Sequence, residues 1–219
     1  MIDILIPTIF RAHYLADLIV NIAGTTEGAH RTIFVADEED HETIDELQSL
    51  GAGYVVAPGP LPRAMNAGFR AGAGDLVLAT NDDVYFHAGW LEAAERAFED
   101  PSVMVVGTRD LTPISENGDH TTQPIMRRAY VEDPGAVWGE TGTIYWEGYH
   151  HGWVETELWQ LACHRGVARF VPECVIEHRH PDWGTRPPDA TDQRGNMQGK
   201  AEDSASFQNR RHEWMTCPV

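Results

Sequence analysis

The chain has 219 residues, 42% hydrophobic and 9% aromatic, which separates it from disordered and fibrous sequences and suffices for one α/β domain with a sizeable core. Its 34 acidic and 16 basic residues give a net charge of −18, which argues against binding a nucleic-acid phosphate backbone or an anionic membrane surface, since both need clustered Lys and Arg. No apolar run approaches the ~20 residues of a membrane-spanning helix, and Met1-Ile2-Asp3 leads into a strand with no basic leader, so a cytoplasmic protein without membrane insertion is expected.

Residues 2–7, Ile-Asp-Ile-Leu-Ile-Pro, predict a first strand. Leu15, Leu18, Ile19 and Ile22 follow at helical spacing up to Gly24. A second strand over 32–36 ends in Asp37-Glu38-Glu39-Asp40, and a helix over 41–50 stops at Gly51. A third strand covers 54–57. After Pro58-Gly59-Pro60, a helix over 61–71 places Leu61, Met65 and Phe69 on one face. The run 75–80 reads as a buried parallel strand, and Asn81, Asp82 and Asp83 stand at its C-terminal end. Adjacent carboxylates repel each other unless a cation or a set of donors compensates them. Hard oxygen ligands suit Mg²⁺ or Mn²⁺, ions that commonly hold substrate phosphates. A solvated acidic turn ahead of the helix that starts near Trp90 is the competing reading.

Leu91, Ala94 and Phe98 point inward from that helix, and 102–108 is a further strand. This β-α alternation with short connections predicts a largely parallel sheet covered by helices. Ligands bind such sheets at the C-terminal strand ends, and Thr8 with Arg11, Asp37 with Glu38, and 81–83 all fall at that edge. Residues 110–150 show little periodicity. Trp138, Tyr145, Trp146, Tyr149 and Trp153 crowd this part of the chain, either as a stacking platform for sugars or bases or as core anchors.

Val154, Leu158, Leu161 and Ala162 mark a helix whose first turn carries Glu155 and Glu157. A strand over 168–176 leads into Glu177-His178-Arg179-His180-Pro181. Residues 187–200, polar and rich in Pro and Gly, read as a mobile loop, and a last helix is expected over 201–214. Asp182, Trp183 and Asp203 are candidates for an acceptor-side lid, and Lys200 is the one lysine. The three cysteines have no zinc-site spacing, and reduced thiols are expected, with Cys163 and Cys174 buried.

Taken in order, these segments resemble the inverting glycosyltransferases of family 2. Ile4-Leu5-Ile6-Pro7-Thr8 resembles the opening strand, and Val35-Ala36-Asp37-Glu38 the nucleoside-binding strand. Ala64-Met65-Asn66-Ala67-Gly68 with Ala73-Gly74-Asp75 resembles the helix before the metal strand. Thr80-Asn81-Asp82-Asp83-Val84 with Gly89-Trp90-Leu91 resembles the DxD-type region, and Glu155-Thr156-Glu157-Leu158 with Arg165-Gly166 the segment of the acceptor-side base. Pro172-Glu173 through Ile176-Glu177-His178 resembles the closing strand with its histidine.

The resemblance covers residues 1–180 and implies a GT-A fold. That is a Rossmann-like, mixed and mostly parallel sheet flanked by helices, of the spore-coat-polysaccharide-synthase-like nucleotide-diphospho-sugar transferase kind. One catalytic domain over 1–219 would divide into a nucleotide-sugar half (1–110), an acceptor half (111–186), and a flexible loop with a C-terminal helix (187–219). The implied reaction moves a sugar from a nucleoside diphosphate-sugar, a UDP-sugar first, to a hydroxyl of a glycan, protein or small molecule. Glu155, with Glu157 second, is the implied base; Asp83 and His178 would hold Mn²⁺ or Mg²⁺. Pro7, Thr8, Arg11, Asp37, Arg63, Asn66, Asn81 and Asp82 would bind the donor, Arg11 and Arg63 being the cations for its diphosphate unless they are surface residues.

Three departures from the family pattern stand out. Asn81 occupies the first position of the DxD-like triplet, Val154 precedes Glu155 where an acidic pair is usual, and the chain lacks the membrane segments of processive synthases. Rival readings are a nucleotidyltransferase, against which Pro7-Thr8-Ile9-Phe10-Arg11 has no glycine, a non-catalytic sugar-binding domain, and a hydrolase built on His150, His151, His178 and His180.

Overall fold

A computed structural model describes residues 1–197 and 199–217; Gln198, Pro218 and Val219 of the expected tail lie outside them. Strands β1 (Ile2–Thr8), β2 (His30–Ala36), β3 (Tyr54–Val56) and β4 (Leu76–Ala79) alternate with helices α1 (Ala12–Thr25), α2 (His41–Ser49) and α3 (Leu61–Ala71). Asp40 caps α2 by accepting from Thr43 N at 3.2 Å. Pro62 opens α3, which buries Met65 and Phe69. Gly68 lets α3 lie directly on the sheet, because a Cβ there would meet Val35 Cγ2 at 2.9 Å.

The second half contains β5 (Val84–Phe86), α4 (Trp90–Ala97), β6 (Val105–Arg109), β7 (Ile125–Arg127), α5 (Arg128–Glu132), α6 (Val154–His164), β8 (Ala168–His178), α7 (Ala190–Met197) and α8 (Lys200–Met215). The eight strands run in the order β3-β2-β1-β4-β7-β6-β8-β5. The first four are parallel; β7 is antiparallel to both β4 and β6, and β5 is antiparallel to β8. The sheet is therefore mixed. One apolar cluster, around Ile4, Leu15, Phe86 and Trp90, packs on one part of the sheet, and a second gathers Met65, Phe69, Met126, Tyr145 and Trp159.

Strand β8 changes partner along its length. Residues 168–171 pair in parallel with 105–108, the register then shifts so that Arg109 faces Val175, and His178 ends opposite Val84. The residues passed over, 172–174, form a bulge.

At the far end of β1, buried Asp3 accepts from Gly74 N (2.6 Å), Arg31 Nε (2.9 Å) and Arg128 Nη2 (3.2 Å). Removing this carboxylate leaves a buried N–H and a largely buried guanidinium unpaired. Asp3→Ala is expected to cost about 2–3 kcal/mol of unfolding free energy in urea titrations. A variant within 0.5 kcal/mol of wild type would show that the cluster contributes nothing net (about the scatter of neutral surface changes).

Several expectations need correction. Within the predicted loop 187–200, residues Ala190–Met197 are helical, because Asp189 accepts from Asp192 N and Asp192 from Asp189 N, closing a turn that polar periodicity does not reveal. Strands β5 and β7 and helix α5 were not predicted; each is five residues or fewer. Cys163 is exposed, whereas Cys174 is buried, and the described cysteines are free.

Candidate active site

The parallel strands end at one edge. Thr8 lies in register with Ala36, and Thr80 N donates to Leu5 O at 3.1 Å. A cavity of about 350 Å³ opens there. Pro7, Thr8, Arg11, Asp37, Asn81, Asp82, Asp83, Glu155 and His178 all line it, so the chain brings nine of the twelve candidate residues together. His151, His180, Thr122, Asp182, Asp192 and Lys200 are among its other polar lining residues.

Arg63, Asn66 and Glu157 stand elsewhere. Arg63 is mostly exposed on α3, with Glu147 at 3.7 Å. Asn66 is buried and structural: its Oδ1 accepts from Ile144 N and Tyr145 N (2.9 and 3.1 Å), and its Nδ2 donates to Tyr145 O (2.8 Å). Glu157 forms a buried ion pair with Arg210, with O···N distances of 2.7 to 3.0 Å, and accepts from Tyr149 Oη at 2.5 Å. Glu157 does not line the cavity, and both its oxygens are engaged in these contacts. None of the five clustered aromatics lines the cavity; Tyr145 and Tyr149 are core, Trp146 meets Tyr149 edge-on, and Trp153 stacks on Phe207.

Asp83 and His178 are joined through the backbone of the antiparallel pair β5–β8: Arg179 N donates to Asp83 O at 2.8 Å. Their side chains follow, with His178 Nε2 3.3 Å from Asp83 Oδ1. His178 N donates to the carbonyl of Asp110, a buried residue whose carboxylate collects Thr112, Ser115 and Thr122.

The floor of the site is a network of ions. Arg11 Nη1 lies 2.5 Å from Asp82 Oδ1 and 3.2 Å from Asp83 Oδ2, while its Nε reaches Asp189 at 2.9 Å and its Nη2 reaches Asp192 at 2.9 Å. Arg186 binds Asp83 at 2.7 Å and forks onto Asp192 at 2.6 Å through both amino groups. Sequence reading missed Arg186, Asp189 and Asp192, which lie in a polar stretch with no helical or strand period.

Burial works to raise the Asp83 carboxyl, but His178, then Arg11 and Arg186, outweigh it and hold it well below the usual carboxylate range. Asp82 goes the other way: burial lifts it against the pull of Arg11, and the charge of Asp83 adds to the lift. Two adjacent carboxyls thus divide, one firmly ionised and one easily protonated. Burial pushes Glu155 up to about 7, a value suited to a base working near neutral pH.

Asp82 Oδ2 and His178 Nδ1 are buried and make no hydrogen bond among the described residues, and Asp83 Oδ1 has the long 3.3 Å contact with His178 Nε2. Adjacent carboxylates with an unfilled oxygen beside an imidazole fit a divalent cation of the Mn²⁺ or Mg²⁺ kind. Among the described residues no group of three or more His, Cys, Asp or Glu side chains is placed to hold a metal ion.

A profile described as "Glycosyl transferase family 2" matches residues 3–165. A search of curated proteins finds no match. Among solved structures, the chain is similar to glucosyl-3-phosphoglycerate synthase from Mycobacterium tuberculosis in complex with Mn²⁺, UDP-glucose and phosphoglyceric acid, at 14% identity over 96% of this chain and 79% of that one, with a TM-score of 0.66. It is also similar to the mannosyltransferase PcManGT from Pyrobaculum calidifontis in complex with GDP-Man and Mn²⁺, at 15% identity over 82% of this chain, with a TM-score of 0.63. The chain spans 57% of that mannosyltransferase's length. At such identities the likeness speaks for the fold, which is GT-A.

Proposed function

Because the chain belongs to glycosyl transferase family 2 and is a glycosyltransferase, we propose that its cavity transfers a sugar, with inversion and metal dependence, from a nucleoside diphosphate-sugar to an acceptor hydroxyl. The observation that carries this reading is one recessed cavity lined together by the Asp83–His178 pair and Glu155. Asp37 and Thr8, at the ends of β2 and β1, face the nucleoside. Arg11, in the cavity wall, is the cation for the diphosphate, and Arg186, ion-paired to Asp83, is a second candidate beside Arg63.

Asp83 and His178 would hold the divalent cation, which when bound supplies Lewis-acid stabilisation of the leaving diphosphate. Glu155 takes the proton of the acceptor hydroxyl as it attacks the anomeric carbon, and inversion follows from a single in-line displacement. The donor is a UDP-sugar first, with GDP-mannose the main alternative. The acceptor belongs to a glycan, a protein or a small molecule.

Release of nucleoside diphosphate from a panel of nucleotide sugars, with Mn²⁺, Mg²⁺ or EDTA, tests the reading. Metal-dependent release from one donor is expected; no release from any donor, with or without metal, would overturn it.

Asp192 now holds the same two arginines that the diphosphate needs. Donor and Asp192 therefore compete, and Asp192→Asn is expected to tighten donor binding about three- to tenfold (~0.7–1.4 kcal/mol) in calorimetric titration with Mn²⁺ present. Weaker binding in the variant would mean instead that Asp192 assists the donor.

A further inference from the structure

Helix α8 lies beyond the span matched by the family profile. Asp203, Phe207 and Arg210, four and three residues apart, share one face of it. All three reach the same short segment, residues 150–157. Asp203 is 1% exposed. Its Oδ1 accepts from His150 N at 2.8 Å and lies 3.0 Å from His150 Nδ1; its Oδ2 accepts from His151 N at 2.9 Å and Gly152 N at 2.8 Å. Phe207 stacks on Trp153 with centroids 4.7 Å apart and planes 18° from parallel. Arg210 forks onto Glu157.

The segment so held leads straight into α6. Trp153 adopts φ 68°, a left-handed conformation that a bulky side chain rarely takes, and it offers no side-chain cap to the helix. The direction in which α6 starts is therefore not set by the local sequence. It is set by what grips the preceding turn, and three consecutive backbone N–H groups there point at one carboxylate. Glu155 is the second residue of α6, and His151 lines the same cavity.

We propose that Asp203 is a positioning residue for the acceptor side of the site: by gathering the 150–152 amides it fixes the turn from which Glu155 enters the cavity. The inference rests on Glu155 being the base, as read above. Phe207 and Arg210 hold α8 to the fold without touching those amides, so the clamp can be weakened while the helix stays docked.

Asp203→Asn does this. It keeps shape and volume but turns an amide NH₂ toward donors that need an acceptor. Wild type and Asp203→Asn are compared for nucleoside diphosphate release from UDP-glucose and GDP-mannose with Mn²⁺, water serving as acceptor, and for amide hydrogen exchange. The expected result is kcat lowered about tenfold or more, donor KM unchanged within twofold, faster exchange at 150–152 and unchanged exchange over the middle of α8; Asp203→Glu is expected to recover part of kcat.

Wild-type turnover matched by an equal kcat in Asp203→Asn, or a parallel loss of kcat and donor KM with α8 deprotected, would overturn the positioning role. A wild type that releases no diphosphate from any donor of the panel would overturn the reading on which this inference rests, and the exchange at 150–152 would still report whether Asp203 holds the turn.

Discussion

Glu155→Gln is expected to lower kcat by about 10²–10⁴-fold, the usual worth of a general base, while donor KM stays near the wild-type value. The side chain keeps its size and loses only its ability to take a proton. In the wild type, kcat/KM is expected to rise with pH through the titration of Glu155, whose carboxyl burial pushes up to about 7, and then to level off. Positive charge bound at Asp83 draws that midpoint downward. In the variant the acid limb is lost.

Stability moves the other way. A carboxyl with a folded pKa above its unfolded one binds more protons in the native state, so its ionisation costs stability as pH rises from about 4.5 toward 7. Glu155→Gln removes that cost and is expected to be more stable than wild type at pH 8, by about 1–3 kcal/mol. A variant that keeps wild-type kcat at pH 8 would remove Glu155 from the chemistry, whatever its stability.

Asp83→Asn is the second large effect. Asp83 is the shared partner of His178, Arg11 and Arg186, and its charge is what a divalent cation would bind. The variant is expected to lose about 10²–10³-fold in kcat/KM, the scale for removing one electrostatic stabiliser of a leaving anion, and to show none of the Mn²⁺-dependent rise in melting temperature that nucleoside diphosphate is expected to give the wild type.

The pH sign is opposite to that of Glu155. Asp83 is held below its unfolded pKa, so the stability it contributes is present above about pH 4 and disappears as the pH falls further. Asp83→Asn is therefore less stable than wild type at pH 7, and the gap closes in acid. An Asp83→Asn protein that still melts higher with Mn²⁺ and nucleoside diphosphate would place the cation elsewhere.

The first half of the fold is legible because each of its strands contains a short apolar run and each helix has a local apolar stripe. Strand β7 is not legible in the same way. Its three residues are defined by antiparallel pairing with both β4 and β6, and nothing local announces a strand inserted between two others.

Within the site, Thr8, Asp37 and residues 81–83 can be placed from sequence because the ends of parallel strands share an edge. Asn66 and Glu157 show the limit of motif reading. A motif supplies a residue type at a position, but the amide of Asn66 turns to the 144–145 backbone and Glu157 turns to Arg210. Arg186 and Asp192 escape for another reason: each has a partner far away in the chain, as with Arg11 and Asp192, 181 positions apart, or Arg186 and Asp83, 103 apart, and long-range polar contacts leave no periodic trace.

The bulge at 172–174 makes the pairing of His178 with Asp83 a matter of counting residues. Upstream of it β8 is committed to β6 by four paired positions, and downstream to β5 by three. Deleting one bulge residue would spare both ladders' partners but advance the chain by one position, presenting Arg179 opposite Val84 in place of His178 and turning alternate side chains to the other face. Side-chain substitutions in β6 or in the core above it leave that count untouched. The Asp83–His178 pairing is thus insulated from substitutions in the hydrophobic interior and exposed to a single-codon deletion in the bulge, so length, more than composition, is what this strand must keep.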